Sequence, residues 1–392
     1  MTINKESDCI LIHYDEIAIK LGNRRWFEKQ LVRNIKKQLL ELPYSDIKSF
    51  SGRIFINKIK IKIASQYLDK LKDVMGISSV HLMKHVPSKI DIIEKTALNL
   101  LSFDKDNFNT FKIFTKRQNK SFSKTSPELN ALIGEVIRVK LKKEVKLKSP
   151  DVELRIEIIE DSALIGYKCM KGFGGLPVGC SEKAISLISS GIDSPVSSFK
   201  MMKRGVHLSF VHFHSFPATG RESIENVQLI LKVLCKFQPS IDLFLVPFVD
   251  VQKHIMKFSP DKYWVIIFRR AMIRFSNYIA NKESASALVT GENVGQVASQ
   301  TLSNINVIGR CSDLPVLRPL AGYNKKEIID LAIKIETYNI SILPYEDCCG
   351  FFVPKHPETK AKLNIIEEIE KNIKLDFNDL YTKIDKIKIE RN

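Results

Sequence analysis

Two short stretches of the chain carry residue types that can do chemistry. In AISLISSGIDSPV an apolar run gives way to Ser189, Ser190, Gly191, Ile192, Asp193 and Ser194, and then to a helical pattern. Glycine permits a tight turn, the start of a helix offers backbone N–H groups without intrahelical partners, and serine hydroxyls add donors. Such a turn binds an anion. The sequence holds no G-x-x-x-x-G-K-[ST], which sets aside a Walker-type NTPase, and the glycines of KGFGG stand in a linker rather than after a strand. The second stretch is PYEDCCGF, residues 344 to 351, where Cys348 and Cys349 are adjacent. Neighbouring Cα atoms lie about 3.8 Å apart, closer than an unstrained disulfide requires, so stapling does not explain the pair.

The other cysteines, at 9, 169, 180, 235 and 311, are scattered and form no C-x-x-C pair of the kind that zinc or redox motifs use. No metal site is suggested. The N-terminus lacks the basic-then-apolar layout of a signal peptide, and no apolar run reaches the roughly 18 residues needed to cross a bilayer. A cytoplasmic protein without a membrane anchor is expected, in which thiol chemistry is catalytic and transient.

The elements that must position these residues fall into three stretches. The first, 1–61, reads as strand, helix, strand: CILIHYDEIAIK alternates, NRRWFEKQLVRNIKKQLLEL carries Trp26, Phe27, Leu31, Ile35 and Leu39 at helical spacing, and GRIFINKIKIKI returns to period two. The second, 62–170, contains a helix opening at Ser126 and Pro127, with Leu129, Leu132, Ile133, Val136 and Ile137 on one face. A strand follows with Val152, Leu154, Ile156 and Ile158 on one side. From 171 to 392 the apolar runs AISLIS, LSFVHFH, LFLVPF and ALVTG alternate with helical stretches, the pattern of a parallel sheet with crossover helices. The last 35 or so residues read as a lysine-rich helical tail.

The net charge of +17 is uneven. Residues 1 to 180 hold 33 Lys and Arg against 21 Asp and Glu, and between Lys112 and Lys148 eleven basic residues face three acidic ones. That local excess is the footprint of a polyanion-binding surface.

Eight strings, in order along nearly the whole chain, give the sequence a resemblance to one family: HYDEIAIKLGNRRWFE, KRQNKSF, GLPVGCSEKAISLISSGIDSPV, HFHSFP, FRRAMIR, TGENVGQVASQTL, RPLAGYNKKEI and PYEDCCGFFVPKHP. It resembles the tRNA 4-thiouridine synthetases, or tRNA sulfurtransferases, of the ThiI type, in the form without a C-terminal rhodanese domain. The resemblance implies an α/β multidomain chain: a ferredoxin-like N-terminal domain over 1–61, a THUMP RNA-binding domain over 62–170, and a Rossmann-like ATP-pyrophosphatase (PP-loop) domain with a parallel sheet and helical tail over 171–392. It implies an enzyme that uses ATP and Mg²⁺ to adenylate C4 of uridine 8 in tRNA, and then replaces the oxygen with persulfide sulfur. A supply of sulfur to thiamine thiazole synthesis is a further family role.

Carried over residue by residue, the resemblance assigns the ATP site to Leu187, Ile188, Ser189, Ser190, Gly191, Asp193, Ser194, His212, Phe213, Arg269, Gly291 and Gln300. Asp193 would hold Mg²⁺ or orient the phosphates, and Arg269 would serve as a phosphate fork. Ser190 stands where the family pattern has glycine; a positive φ there would strain it. Cys349 aligns with the sulfur-carrying cysteine, which answers the question of the adjacent pair, and Cys348 is the nearest thiol for resolving the intermediate, with Cys311 or an external reductant as alternatives. Sulfur would come from a cysteine desulfurase or another persulfide donor, and the family forms homodimers.

For tRNA, the phosphate-contact candidates are Arg24, Arg25, Lys116, Arg117, Lys120 and Lys124, with Phe122 as a stacking surface. Asp15 and Leu21 replace the glycine and lysine more usual in the first motif. The rival reading is a non-catalytic or differently targeted tRNA-binding protein with the same domains.

Overall fold

The computed structural model describes residues 7–345, 356–375 and 377–391, and the chain divides into two compact units, Met1–Gly175 and Leu176–Asn392. The first unit runs β1 (Ser7–Tyr14), α1 (Arg24–Gln38), β2 (Asp46–Phe50), β3 (Arg53–Asn57), α2 (Ala64–Lys72), β4 (Ile77–Pro87), α3 (Ile90–Phe103), β5 (Thr110–Arg117), α4 (Ser126–Leu141), β6 (Glu144–Val145), β7 (Val152–Ile159) and β8 (Ser162–Lys171). All eight strands form one sheet, in the order β2-β3-β1-β4-β8-β7-β5-β6. The ferredoxin-like and THUMP portions are therefore continuous through β4, which pairs antiparallel with β1 on one edge and β8 on the other.

Local sequence explains most of these elements. Leu31 and Ile35 of α1 are buried against Ile10, Ile12, Ile54 and Ile56 of the sheet, while Trp26 on the outer side is half exposed. Helix α4 is capped by Thr125, one residue before the expected start: its hydroxyl accepts from the Glu128 N–H and the Glu128 carboxylate accepts from the Thr125 N–H. That reciprocal pair satisfies two otherwise orphaned donors. Leu129, Ile133 and Ile137, one turn apart, then enter a second core with Leu154, Ile156 and Ile158.

The period-two run GRIFINKIKIKI does not stay a strand. β3 stops at Asn57, Lys58 takes a positive φ, and Ile61–Ile63 form a short 3₁₀ turn leading into α2. Ile61 is exposed, so alternation there has no second layer to bury it.

Glu157 of β7 is wholly buried, a cost met only by pairing. Its Oε2 lies 2.6 Å from Arg53 Nε of β3, and its Oε1 lies 3.0 Å from His13 Nε2 of β1 and 3.3 Å from Arg155 Nη1. Burial by itself raises this carboxyl; the His13 hydrogen bond and charge, then Arg53 and Arg155, outweigh it and hold the group down at about 2. One side chain thus ties the ferredoxin-like strands to a THUMP strand.

The second unit runs β9 (Lys183–Leu187), α5 (Asp193–Lys203), β10 (His207–His214), α6 (Glu222–Leu234), β11 (Ser240–Pro247), α7 (Val249–Phe258), α8 (Trp264–Lys282), β12 (Ala287–Val289), α9 (Leu302–Gly309), β13 (Val316–Leu317), α10 (Lys325–Lys334), α11 (Tyr338–Ser341), α12 (Leu363–Ile373), α13 (Asn378–Thr382) and β14 (Asp385–Glu390). The sheet order is β13-β12-β9-β10-β11-β14, parallel except for β14. The expected helical tail is corrected here. Helices α12 and α13 do form, but the final DKIKIE alternates, and as β14 it pairs antiparallel with β11, burying Ile389. Helix α8 is buried along its length, with Ile267, Phe268, Ala271 and Phe275 inside the main core.

Glu157→Gln should release Arg53 and His13 into a dry site, at a cost of roughly 3–5 kcal/mol. Hydrogen exchange of the β1, β3 and β7 amides is expected to accelerate at least a hundredfold. Because the folded carboxyl sits at about 2 against an ordinary 4.5, the wild-type contribution is complete above pH 4.5 and is lost as pH falls from there toward 2. Unchanged exchange in the variant would show that the cluster does not hold the sheet.

Candidate functional site

β9 is central and its parallel neighbours β10 and β12 lie on opposite sides, so the strand order reverses beside it. Open parallel sheets leave a crevice at the carboxyl ends of the strands at such a point. A cavity of about 230 Å³ lies there, and its walls include Leu187, Ile188, Ser189, Asp193, Ser194, His212, Phe213, Arg269, Gly291 and Gln300. Ten of the twelve expected positions therefore meet in one place. Ser190 and Gly191 belong to the same loop but do not line the cavity.

The loop is closed by Ser194. Its Oγ accepts from the Ser189 N–H at 2.9 Å and donates to the Ser189 carbonyl at 3.1 Å, folding the turn onto the first residues of α5. Neither Ser190 nor Gly191 has a positive φ, so the strain anticipated at Ser190 does not arise. Ser190 is buried, with no hydrogen-bond partner for its hydroxyl. Gly291, past the end of β12, packs against this turn: a Cβ there would lie 2.8 Å from Ser194 N and 2.9 Å from its Cα. Only glycine lets the two backbones approach this closely.

His212 of β10 donates from Nδ1 to the Ile188 carbonyl at 2.9 Å, which leaves Nε2 as an acceptor without a partner. Burial pushes this imidazole down to about 4, so it is neutral at physiological pH. The buried Gln300 Oε1 is likewise unpartnered.

Charge in the cavity comes from residues far apart in sequence. Asp193 accepts from Lys325 Nζ at 2.7 Å and Gln296 Nε2 at 2.9 Å. Glu292 accepts from Arg269 Nη1 at 3.0 Å, Arg318 Nε at 2.7 Å and Thr290 Oγ1 at 3.2 Å. Arg270, next to Arg269, is no surface charge: it is buried, with two bonds to Glu370 of α12 at 2.8 and 2.7 Å. Sequence reading missed Glu292, Thr290, Gln296, Arg318 and Lys325. All five sit inside strings already singled out, TGENVGQ and RPLAGYNKK, but nothing local says which of their polar side chains meet Asp193 or Glu292.

Cys348 and Cys349 lie outside the described residues. The described chain on either side of them reaches this site: Tyr345 Oη would be 3.3 Å from a Cβ on Gly191, and Ser341 Oγ donates to the Gly191 carbonyl at 3.4 Å. On the far side, the Thr359 carbonyl accepts from Thr301 Oγ1 at 2.7 Å and the Glu358 carbonyl from Asn304 Nδ2 at 2.8 Å, directly after Gln300.

Within the first unit, Arg24 is committed to Tyr14 and to Glu28, the latter at 3.0 Å, and stacks on the Tyr14 ring. Arg25 is exposed, and both arginines line a hollow with Phe50, Ser51 and Gly52 at the tip of the β2–β3 hairpin. Gln118 Nε2 donates to the Ser51 carbonyl at 3.1 Å, which draws the end of β5, with Lys116, and the loop after it, with Lys120 and Lys124, to that tip. Arg117 bonds the Phe122 carbonyl, and the Phe122 ring packs on the second core rather than standing free. Exposed Phe50 is the aromatic surface beside the arginines, and sequence reading did not single it out.

Residues 179–375 match the family described as Thiamine biosynthesis protein (ThiI), residues 9–80 the ThiI ferredoxin-like domain, and residues 87–168 the THUMP domain. The "Probable tRNA sulfurtransferase" of Moorella thermoacetica is 41% identical over 366 residues, covering 93% of each chain. The chain belongs to the tRNA sulfurtransferase family. A relative of the same name from Halothermothrix orenii is 41% identical over 95% of both chains. Among solved structures, a 4-thiouridine synthetase in complex with RNA and bound ATP superposes with a TM-score of 0.89 at 35% identity, over 98% of this chain and all of that one. The family fold is the α/β arrangement expected from the motifs. No described helix is long and apolar enough to cross a membrane.

Gly291→Ala should force the β12 end away from α5 and open the phosphate turn. Overpacking of this kind costs about 1–3 kcal/mol, or roughly ten- to a hundredfold in nucleotide affinity. Calorimetric titration of the folded variant with a nucleotide triphosphate is the measurement; wild-type affinity would mean that the close approach is dispensable.

Proposed function

We propose that the chain is an ATP-dependent tRNA sulfurtransferase that adenylates C4 of uridine 8 and exchanges the oxygen for sulfur carried on Cys349, giving 4-thiouridine. The observation that carries this reading is the cavity at the strand-order reversal, in which a helix-start turn, the cationic Arg269 and an apolar wall of Leu187, Ile188 and Phe213 meet. A triphosphate suits the turn and the guanidinium, and a purine suits the wall.

In the first step the C4 oxygen attacks the α-phosphorus and pyrophosphate leaves. The free N–H groups at the start of α5 and the Arg269 fork stabilise the charge that develops. In the second, the terminal sulfur of a Cys349 persulfide attacks C4 and AMP leaves with the original oxygen. A thiol then cleaves the resulting S–S link, freeing 4-thiouridine and leaving a disulfide on Cys349 for an external dithiol to reduce. A four-residue tether spans at most roughly 14 Å, and Tyr345, four residues before Cys349, reaches Gly191 with its side-chain hydroxyl.

Mg²⁺ would be brought by the phosphates, and Asp193 would supply its protein oxygen by exchanging its contact with Lys325 or Gln296 for the ion. Among the described residues no group of three or more His, Cys, Asp or Glu side chains could hold a metal by itself. Exposed Arg25, Lys116 and Lys120, with Lys124, are the phosphate contacts for tRNA, and Phe50 is the stacking surface. Sulfur arrives from a cysteine desulfurase or another persulfide donor. The working form is a cytoplasmic homodimer that can also supply sulfur for thiamine thiazole synthesis.

With a desulfurase, ATP and tRNA present, Cys349→Ser should yield no 4-thiouridine by nucleoside mass spectrometry, while Cys348→Ser should stall in the first turnover with tRNA linked to Cys349 through sulfur until an external dithiol releases it. Asp193→Ala should abolish tRNA-dependent AMP release. Thiolation surviving in Cys349→Ser would sink the persulfide assignment. Affinity for tRNA should fall steeply with salt, and each of Lys116→Ala, Lys120→Ala and Lys124→Ala should lower the log–log slope by about 1; a slope unchanged in all three would place the RNA elsewhere.

A further inference from the structure

Glu292 puts a carboxylate into the wall of a cavity read here as a triphosphate site, where a bare negative charge would repel the ligand. Its side chain is only 7% exposed, and both oxygens are occupied. Oε1 accepts from Arg269 Nη1 at 3.0 Å, and Oε2 accepts from Arg318 Nε at 2.7 Å and Thr290 Oγ1 at 3.2 Å. Two guanidinium groups on one carboxylate leave the cluster cationic.

The two arginines are held differently. Arg318 follows β13, which pairs in parallel with β12, and its Nη1 also donates to the Val316 carbonyl at 3.2 Å. It is therefore braced from the sheet. Arg269 comes from α8, lines the cavity, and among the described residues has Glu292 as its partner. Its side chain stays 24% exposed, so the guanidinium is not sealed off by that pairing. The order of support runs from β13 through Arg318 to Glu292, and from Glu292 to Arg269.

We propose that Glu292 is a positioning residue for nucleotide binding: braced by Arg318, it fixes the Arg269 guanidinium in the orientation that meets the phosphates. An arginine fixed before the ligand arrives loses less side-chain freedom on binding, which strengthens affinity without a new contact. The inference rests on the nucleotide reading of the cavity and adds to it a specific dependence of one residue on another.

A double-mutant cycle tests it, with ATP and Mg²⁺ titrated calorimetrically into the full-length chain and its Glu292→Gln, Arg269→Met and doubly substituted forms. Each single substitution is expected to weaken ATP about ten- to a hundredfold, the loss from one charged hydrogen bond. The double variant should bind within about twofold of Arg269→Met alone, and half-saturating Mg²⁺ should not change. Losses that multiply, or a raised Mg²⁺ requirement in Glu292→Gln, would mean that Glu292 acts on the ligand or metal directly and would overturn the proposal. Should Glu292→Gln fail to fold, Arg318→Lys, which keeps the charge but not the fork, makes the same cycle with the same expected outcome. Wild type that binds no ATP removes the nucleotide reading and this proposal together; wild type that binds while the losses multiply removes this proposal alone.

Discussion

The second unit depends on the approach of the β12 end to the first turn of α5, an approach that only a missing side chain at Gly291 allows. A parallel sheet places strand ends and helix starts at one edge, but not close enough by itself to shape a pocket. Contact between Gly291 and Ser194 brings β12 against the turn that leaves β9, and β10 arrives from the other side with His212 bonded to the Ile188 carbonyl. The cavity is the space left among these three ends. Thr290, Glu292 and the short 3₁₀ turn supplying Gln300 (Ala298–Gln300) then follow from where the β12 end is held, so the charged wall inherits its position from a backbone contact.

Three carboxylates drawn into the interior, one in the first unit and two in the second, each take at least two arginines with them. Glu157 has Arg53, Arg155 and His13; Glu292 has Arg269 and Arg318; Glu370 has Arg270 and Arg274. Desolvation of a single ion pair is often not repaid by the pair alone, and bidentate or shared guanidinium contacts are what tip the balance. Arg269 and Arg270 show how finely this is directed. Consecutive helical positions point about 100° apart, so one of the pair faces the cavity while the other locks α12 to α8.

Patterns of short range were legible in the sequence. The Ser189–Ser194 turn, the parallel strands around it and the buried faces of α1 and α4 all follow from periodicities that a single element must satisfy. What stayed hidden was settled at long range. KIKIKI satisfies a strand pattern, but no neighbouring layer covers Ile61, whereas the equally alternating DKIKIE finds the open edge of β11. Ser190 gave a false alarm, because the turn closes through the Ser194 hydroxyl and asks no positive φ of it. Glu292, Arg318 and Lys325 carry ordinary surface residue types; their part in the site depends on partners 23 to 132 positions away.

Thiol reactivity can be argued from the same physics. Attack on a persulfide link needs a thiolate, and burial favours the protonated form. Cys311, one alternative for resolving the intermediate, is pushed up to about 11, mainly by burial, and its Sγ contacts the Ile308 carbonyl at 3.1 Å and the Arg270 carbonyl at 3.4 Å. Its proton is held by two acceptors, and the backbone it bonds belongs to the Arg270 lock on α12. Freeing it would mean loosening that lock during every turnover. Cys9 and Cys235, both pushed to about 12 by burial, are equally unsuited. The thiol that finishes the proposed reaction is then better sought at Cys348, next in sequence to the proposed sulfur carrier, or in an external dithiol.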